Sequence, residues 1–350
     1  MVSTRSDPSL THHFATAAEG TQLSYYSIGN GPDIVIVHGA MSFALTHKDL
    51  AVALSPYFTV NIFSRRNRGL SGPFPPSITD SSAALCTDRC NPSEDNTTRI
   101  ANRTVPRTYN LSFSSSVLQT EVSDLHTILE ATSSRFVISI SSGAFITLSY
   151  LLSHSSPSKC LIKKAILFEP AVQFSDLDTS SQLADASGGL LKYEERRAAG
   201  DIIGALVAAL KATGMVPGWM PEWLIRVIMN WKAARGGGSQ SKQEEGDEGV
   251  TNPLKLAEAL RYDFCVGEAM VGGSERFKEI QGVEVLLMGG TESQGYLKEG
   301  MDALEGLIEG SKRVMIQGIA HDGLGQKERG GRPERAAGAT QEFFGGTKWE

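Results

Sequence analysis

Ser141 sits in the run RFVISISSGAFITL, residues 135–148. The first half is apolar and rich in β-branched residues, and it reads as a buried strand. It stops at small residues and passes straight into a second apolar stretch that reads as a helix. A serine at such a corner has its hydroxyl held out on a sharp turn, the geometry of a nucleophile elbow. The usual spacing is Gly-x-Ser-x-Gly. Here it is Ser139-Ile140-Ser141-Ser142-Gly143, with serine in place of the first glycine. The flanking positions must be small because strand and helix backbones approach closely around the nucleophile. A serine hydroxyl is a poor nucleophile at neutral pH. It needs a base, a carboxylate to hold that base, and fixed donors for a developing oxyanion.

Residues of those types stand at the ends of other predicted strands. Ile34–Val37 ends at His38-Gly39-Ala40-Met41, Ala165–Phe168 ends at Glu169-Pro170, and Arg313–Gln317 ends at Gly318-Ile-Ala-His321. Open parallel sheets gather their sites at the carboxyl ends of their strands. Read along the chain, the order is serine, acid, histidine.

The elements that must position them alternate in type. Thr11–Ala17 and Leu23–Ile28 flank a turn and read as a hairpin. Buried strands follow at Ile34–Val37, Phe58–Phe63, 136–140, Ala165–Phe168, Val283–Met288 and Arg313–Gln317. Helical spacing marks Leu45–Leu54, Ser114–Ala131 and Glu334–Phe344. Strands alternating with helices predict an α/β fold whose mostly parallel sheet is covered on both faces. Residues 73–112, rich in Pro, Ser, Thr and Asn, read as a long excursion without regular structure. The block between Glu169 and Val283 has helical stretches at Tyr193–Thr213, Pro221–Ala234 and Pro253–Val271, and no clear buried strand. The organisation expected is a core of residues 1–172 and 280–350 with a helical cap at 173–279. Within the cap, 235–252 is low in hydrophobicity and reads as a mobile loop.

Composition excludes several classes. The chain has 350 residues, 41% hydrophobic, with a net charge of −6. No basic field for nucleic acid or an anionic membrane surface is evident. No run has transmembrane length, and residues 1–20 lack the apolar centre of a signal peptide, so a cytoplasmic location is expected. The four cysteines fit neither a disulfide framework nor a zinc site. Neither a metal nor a cofactor is expected, and the expected partner is a small-molecule substrate.

On these motifs the chain resembles the α/β-hydrolases, and within them a microbial subgroup with a Ser-Ser-Gly-Ala elbow and a Glu-Pro strand end. The resemblance covers the entry hairpin, His38-Gly39, the arginine-rich loop at 66–72, the elbow, Glu169-Pro170, Gly289-Gly290 and Gly318-x-x-His321. It implies Ser141 as nucleophile and His321 as base. The backbone N–H groups of Ser142 and Ala40 would form the oxyanion hole, with Met41 as an alternative to Ala40. His38, Gly39 and Gly143 would shape the site. Most of the family carries the acid after the strand at 283–288, where Glu292 stands. Some members carry it one strand earlier, where Glu169 stands. Glu169 is preferred, because it follows its strand immediately and Pro170 fixes the exit.

The expected reaction is hydrolysis of an ester, thioester or lactone of a small apolar metabolite through an acyl-enzyme. Two alternatives stand beside it: a lyase, carbon–carbon hydrolase or cyclisation catalyst using the Ser/His pair for acid–base work, and a non-catalytic ligand-binding protein. The arginines at 65, 66 and 68 read as a solvated, salt-bridged loop rather than an anion site. Trp219, Trp223 and Trp231 read either as pocket lining or as packing.

Overall fold

A computed structural model describes residues 9–79, 97–100, 103–106, 108–156, 159–170, 180–212, 216, 219–227, 253–271 and 274–345. Ten strands are present among them: β1 (Thr11–Thr16), β2 (Gln22–Ile28), β3 (Asp33–Val37), β4 (Thr59–Phe63), β5 (Thr97–Ile100), β6 (Arg103–Pro106), β7 (Phe136–Ile140), β8 (Lys164–Phe168), β9 (Glu284–Gly290) and β10 (Lys312–Ile316). Eight of them form one sheet in the order β1-β2-β4-β3-β7-β8-β9-β10. The pairings of β1 with β2 and of β2 with β4 are antiparallel, and the rest are parallel.

The central parallel strands β3, β7 and β8 are mostly apolar because both of their faces are covered. Ile34, Ile36, Ile138, Ile140, Ile166 and Phe168 point to one core, and Val35, Val37, Val137, Ala165 and Leu167 to the other. The first core is closed by α1 (Lys48–Leu54) and α9 (Glu334–Phe344). The second is closed by α3 (Leu111–Ala131), α4 (Ser142–Ser153) and α7 (Pro253–Met270). Further helices are α2 (Pro76–Thr79), α5 (Ser180–Ala198), α6 (Ile202–Ala212) and α8 (Gly295–Leu307).

Four expectations need correction, the last of them the arginine-rich loop. The excursion at 73–112 contains α2 and the antiparallel hairpin β5-β6. Four-residue strands are too short to print an alternation in the sequence. Its end is also tied down: Glu268 of α7 accepts the backbone N–H groups of Thr108 and Tyr109, and the Tyr109 hydroxyl donates to Glu194 of α5 at 2.6 Å. The single helix expected over Tyr193–Thr213 is two helices. Gly200 breaks it at φ +78°, and the Asp201 side chain caps α6 by accepting the Gly204 N–H at 3.0 Å. Trp219 and Trp223 are 80% and 66% exposed, so they do not fill a core. Cys86, Cys90, Trp231 and residues 235–252 lie outside the described residues. No helix among the described residues is long and apolar enough to cross a membrane.

The arginine-rich loop after β4 is salt-bridged but not solvated. Arg65 and Arg66 are wholly buried, and Arg68 nearly so. Arg65 donates to Glu121 of α3 and, at 2.6 Å, to Asp263 of α7. Arg68 donates to the other Asp263 oxygen at 2.5 Å. Arg66 makes a forked pair with Asp124 and reaches Glu19. Burial opposes the Arg65 charge, but Glu121 and Asp263 outweigh it and raise its pKa. Burial likewise opposes the Asp263 charge, and Arg68 and Arg65 outweigh that, leaving the carboxyl below its ordinary range. Sequence alone could not show this, because the counter-charges lie on helices remote in the chain.

Two histidines are also buried. His47 donates from Nδ1 to the Leu324 carbonyl at 2.9 Å, which fastens the loop after β10 to the start of α1. Burial pushes its imidazole down to about 4. His38 is held well below the histidine range, first by burial and then by Arg65 and Arg68.

Removing one member of a buried, hydrogen-bonded ion pair typically costs about 3–5 kcal/mol. Glu121→Ala is expected to lower the unfolding free energy by that amount in urea titrations. Glu275→Ala, in an exposed pair with Lys278, is expected to change it by less than about 1 kcal/mol. Equal effects would contradict the buried-charge account. His47 is neutral when folded and takes up a proton near pH 6.5 when unfolded. Its contribution is therefore fully present above pH 6.5 and is lost as the pH falls toward about 4. Over that window His47→Asn should flatten the pH dependence of stability by about 1.4 kcal/mol per pH unit. An unchanged slope would exclude a buried neutral His47.

Candidate active site

The parallel strands end in a row of backbone hydrogen bonds that step across the sheet. The Ser141 N–H donates to the Phe168 carbonyl at 2.9 Å, and the Glu169 N–H donates to the Met288 carbonyl at 3.0 Å. The Thr291 N–H donates to Ile316 and the Glu292 N–H to Ile319, each at 3.0 Å. The chain leaving β7, β8 and β9 is thus tied in each case to the next strand of the sheet or the loop beyond it. The turns are tight. Of five non-glycine residues with positive φ among the described residues, three stand at this edge: Met41 (φ 53°), Ser141 (φ 53°) and Glu169 (φ 45°). Such conformations cost roughly 1–3 kcal/mol each and persist only where the surroundings over-determine them.

Small residues make the corner possible. A Cβ on Gly143 would lie 2.5 Å from the Val37 carbonyl oxygen and 2.7 Å from that of His38. One on Gly39 would lie 3.0 Å from the Ser141 Cβ. The loop after β3 and the start of α4 therefore touch backbone to backbone. Ser139, which replaces the first glycine of the usual pattern, is fully buried, and its hydroxyl faces the Ile166 carbonyl of β8 at 3.4 Å.

Three predicted side chains meet at this edge. The Ser141 Oγ is 3.1 Å from His321 Nε2, and His321 Nδ1 is 2.7 Å from Glu169 Oε2. The second Glu169 oxygen accepts the Gly290 N–H at 2.7 Å. Glu169 is fully buried while His321 is part-exposed. A carboxylate at Nδ1 fixes the tautomer, with the proton on Nδ1 and the lone pair of Nε2 facing the serine. Such an arrangement can take the Ser141 proton onto Nε2 and stabilise the resulting imidazolium. Glu292 is not part of it. Its side chain is exposed, and its backbone N–H is spent on Ile319. Asp322 is likewise exposed, and its carbonyl closes a turn with the Gly325 N–H.

Ser142 opens α4, so its N–H belongs to the first turn, which has no intrahelical acceptors. Ala40 and Met41 lie in the loop beside Ser141 and pack against Leu206, Ala209, Ala257 and Leu260 of α6 and α7. His38 has both ring nitrogens bonded away from Ser141. Its Nε2 accepts the Arg65 N–H at 3.0 Å, so the proton is on Nδ1, which donates to the Gly39 carbonyl at 2.9 Å. Sequence reasoning missed two groups here, the Gly290 N–H and Asp263. The Ser142 hydroxyl donates to Asp263 Oδ1 at 2.9 Å. The one available signal was a lone carboxylate on the apolar face of the helix that carries Leu256, Ala259, Leu260 and Val266. Among the described residues no group of three or more His, Cys, Asp or Glu side chains is gathered as a metal site.

No family model and no curated protein matches the chain. Solved structures do. An α/β-hydrolase from Sphaerobacter thermophilus is 20% identical with a TM-score of 0.63, over 95% of this chain and 100% of its own. An esterase from Exiguobacterium antarcticum is 16% identical with a TM-score of 0.57, over 94% and 98%. A bromoperoxidase from Bacillus anthracis is 15% identical with a TM-score of 0.56, over 96% and 100%. At these identities the likeness concerns architecture alone, and the eight-stranded sheet agrees with it. The chain has the α/β-hydrolase fold.

Proposed function

We propose that the chain is a serine hydrolase that cleaves an ester, thioester or lactone of a small apolar metabolite through an acyl-enzyme. The observation that carries this reading is the continuous chain from Ser141 Oγ through His321 to Glu169, at 3.1 and 2.7 Å. Fold alone would not support it, since one fold hosts many chemistries.

The roles follow from the geometry. Ser141 Oγ attacks the carbonyl carbon as its proton passes to His321 Nε2. Glu169, held by Gly290, keeps the imidazole in place and stabilises its positive charge. The oxyanion is met by the N–H groups of Ser142 and Ala40, with Met41 as the alternative to Ala40. The tetrahedral intermediate collapses as the Nε2 proton moves to the leaving oxygen or sulfur. Water then attacks the acyl-enzyme through the same proton transfers in reverse roles.

Residues 173–279 are read as a cap above this edge. Its helices bring Leu206, Ala209, Leu256 and Leu260 toward Ala40, Met41 and Phe43. That apolar lining favours an apolar acyl group.

Incubation with a small fluorophosphonate is expected to add one adduct to the wild-type chain and none to Ser141→Ala, read by intact-mass spectrometry. No adduct on folded wild type would count against the acyl-enzyme and favour acid–base chemistry or simple binding. On any ester found to turn over, Ser141→Ala should lower kcat by on the order of 10⁶-fold. Glu169→Gln should lower kcat by about 10⁴-fold with the fold intact, and Glu292→Gln should leave it at the wild-type level. Comparable losses at both glutamates would refute the assignment of Glu169.

A further inference from the structure

Arg65 touches the supports of both oxyanion donors, through different parts of itself. Its backbone N–H donates to His38 Nε2 at 3.0 Å, which forces the imidazole proton onto Nδ1. That proton is donated to the Gly39 carbonyl. In a planar trans peptide the C=O and the following N–H point in opposite directions. Holding the Gly39 carbonyl against His38 therefore turns the Ala40 N–H to the other side. At its far end the Arg65 guanidinium donates to the Ser142 hydroxyl at 3.2 Å and to Asp263 Oδ1 at 2.6 Å, and Ser142 itself donates to the same Asp263 oxygen. This triangle fixes the first residue of α4, whose N–H is the second donor. Arg65 is fully buried and its side chain is pinned from behind by Glu121, so both ends are held by one residue, one through its backbone and the other through its guanidinium.

We propose that Arg65 is the positioning residue for the whole oxyanion hole, aligning the Ala40 N–H through His38 and the Ser142 N–H through the Ser142 hydroxyl. Asp263 comes from α7, so the same contact makes the completed hole depend on the docked helical insertion. The inference rests on the serine-hydrolase reading above. Lysine cannot replace the arginine, because a single ammonium does not reach Glu121, Asp263 and Ser142 in the fixed fork that a guanidinium provides.

The test is the second-order rate of Ser141 phosphonylation by a small fluorophosphonate, whose P=O oxygen occupies the oxyanion position. It is measured on Arg65→Lys, Ser142→Ala and the double variant, with adduct stoichiometry and pH profile recorded. A misplacement of about 1 Å typically costs about 100-fold, so Arg65→Lys is expected to label at a rate lower by about 10- to 100-fold. Its final stoichiometry should stay at one adduct per chain and its pH inflection should not move, because His321 and Glu169 are untouched. Ser142→Ala should also slow labelling, and the double variant should match the slower single variant rather than the product of the two effects. A purely structural role would instead lower the stoichiometry in step with lost folded protein, or shift the pH profile, and would overturn the proposal. Multiplicative effects would overturn it as well. If Arg65→Lys does not fold, His38→Asn tests the backbone arm with the ion pairs intact: it keeps a donor toward Gly39 but loses the acceptor for the Arg65 N–H. Wild-type rates in that variant would overturn the proposal. No adduct on wild type would defeat the hydrolase reading and this inference together. Wild-type labelling with unaffected variants would defeat this inference alone.

Discussion

The site depends on one constraint, the tying of the exits of β7, β8 and β9 to the neighbouring strand. Ser141 is bonded to Phe168 and Glu169 to Met288, and the loop beyond β9 is bonded to Ile316 and Ile319. These bonds require the chain to turn at once after each strand. Ser141 and Glu169 do so with a positive φ that ordinary residues avoid. The strain is sustained because the strands are buried on both faces and cannot shift to relieve it. A looser edge would let Ser141, His321 and Glu169 drift apart, since they come from positions far separated in the chain.

The second support is electrostatic. Arg65, Arg68, Glu121 and Asp263 bring two positive and two negative charges out of water together. Buried pairs of this kind are weak sources of net stability, because desolvation offsets most of the attraction. Their effect is better seen in what they forbid. Any arrangement that moves α3 or α7 away from the β4 loop strands an unpaired charge in the core. The helix α7 is thereby fixed in register with the start of α4, which apolar packing of α6 and α7 on Ala40 and Met41 would specify less sharply.

Much of this was legible in the sequence, and the reason is physical. A parallel strand buried on two faces prints a largely apolar run, and its abrupt end marks the edge where Ser141, His321 and Glu169 meet. Ile34–Val37, Ala165–Phe168 and the run before Ser141 are all of this kind. That Glu169 rather than Glu292 stands beside His321 was legible through position, since only the residue directly after the strand is held by the turn itself. What could not be read depended on distance in the chain. Nothing near Arg65 announces Asp263, and hydrophilic composition in the loop at 65–68 suggested water where the fold supplies carboxylates. The hairpin β5-β6 was too short to show a period. Trp219 and Trp223 misled in the opposite direction, because large apolar side chains are usually buried and these are not.

The central claim is that Ser141 is an activated nucleophile facing a preformed oxyanion hole at the strand ends. A crystal structure of the chain phosphonylated at Ser141 tests it most directly. The account requires the phosphoryl oxygen to lie about 2.7–3.1 Å from the Ser142 N–H nitrogen and from that of Ala40 or Met41. It also requires His321 to remain bonded to Glu169. A phosphoryl oxygen turned toward solvent, or held by side chains elsewhere, would contradict the account even if the serine were modified.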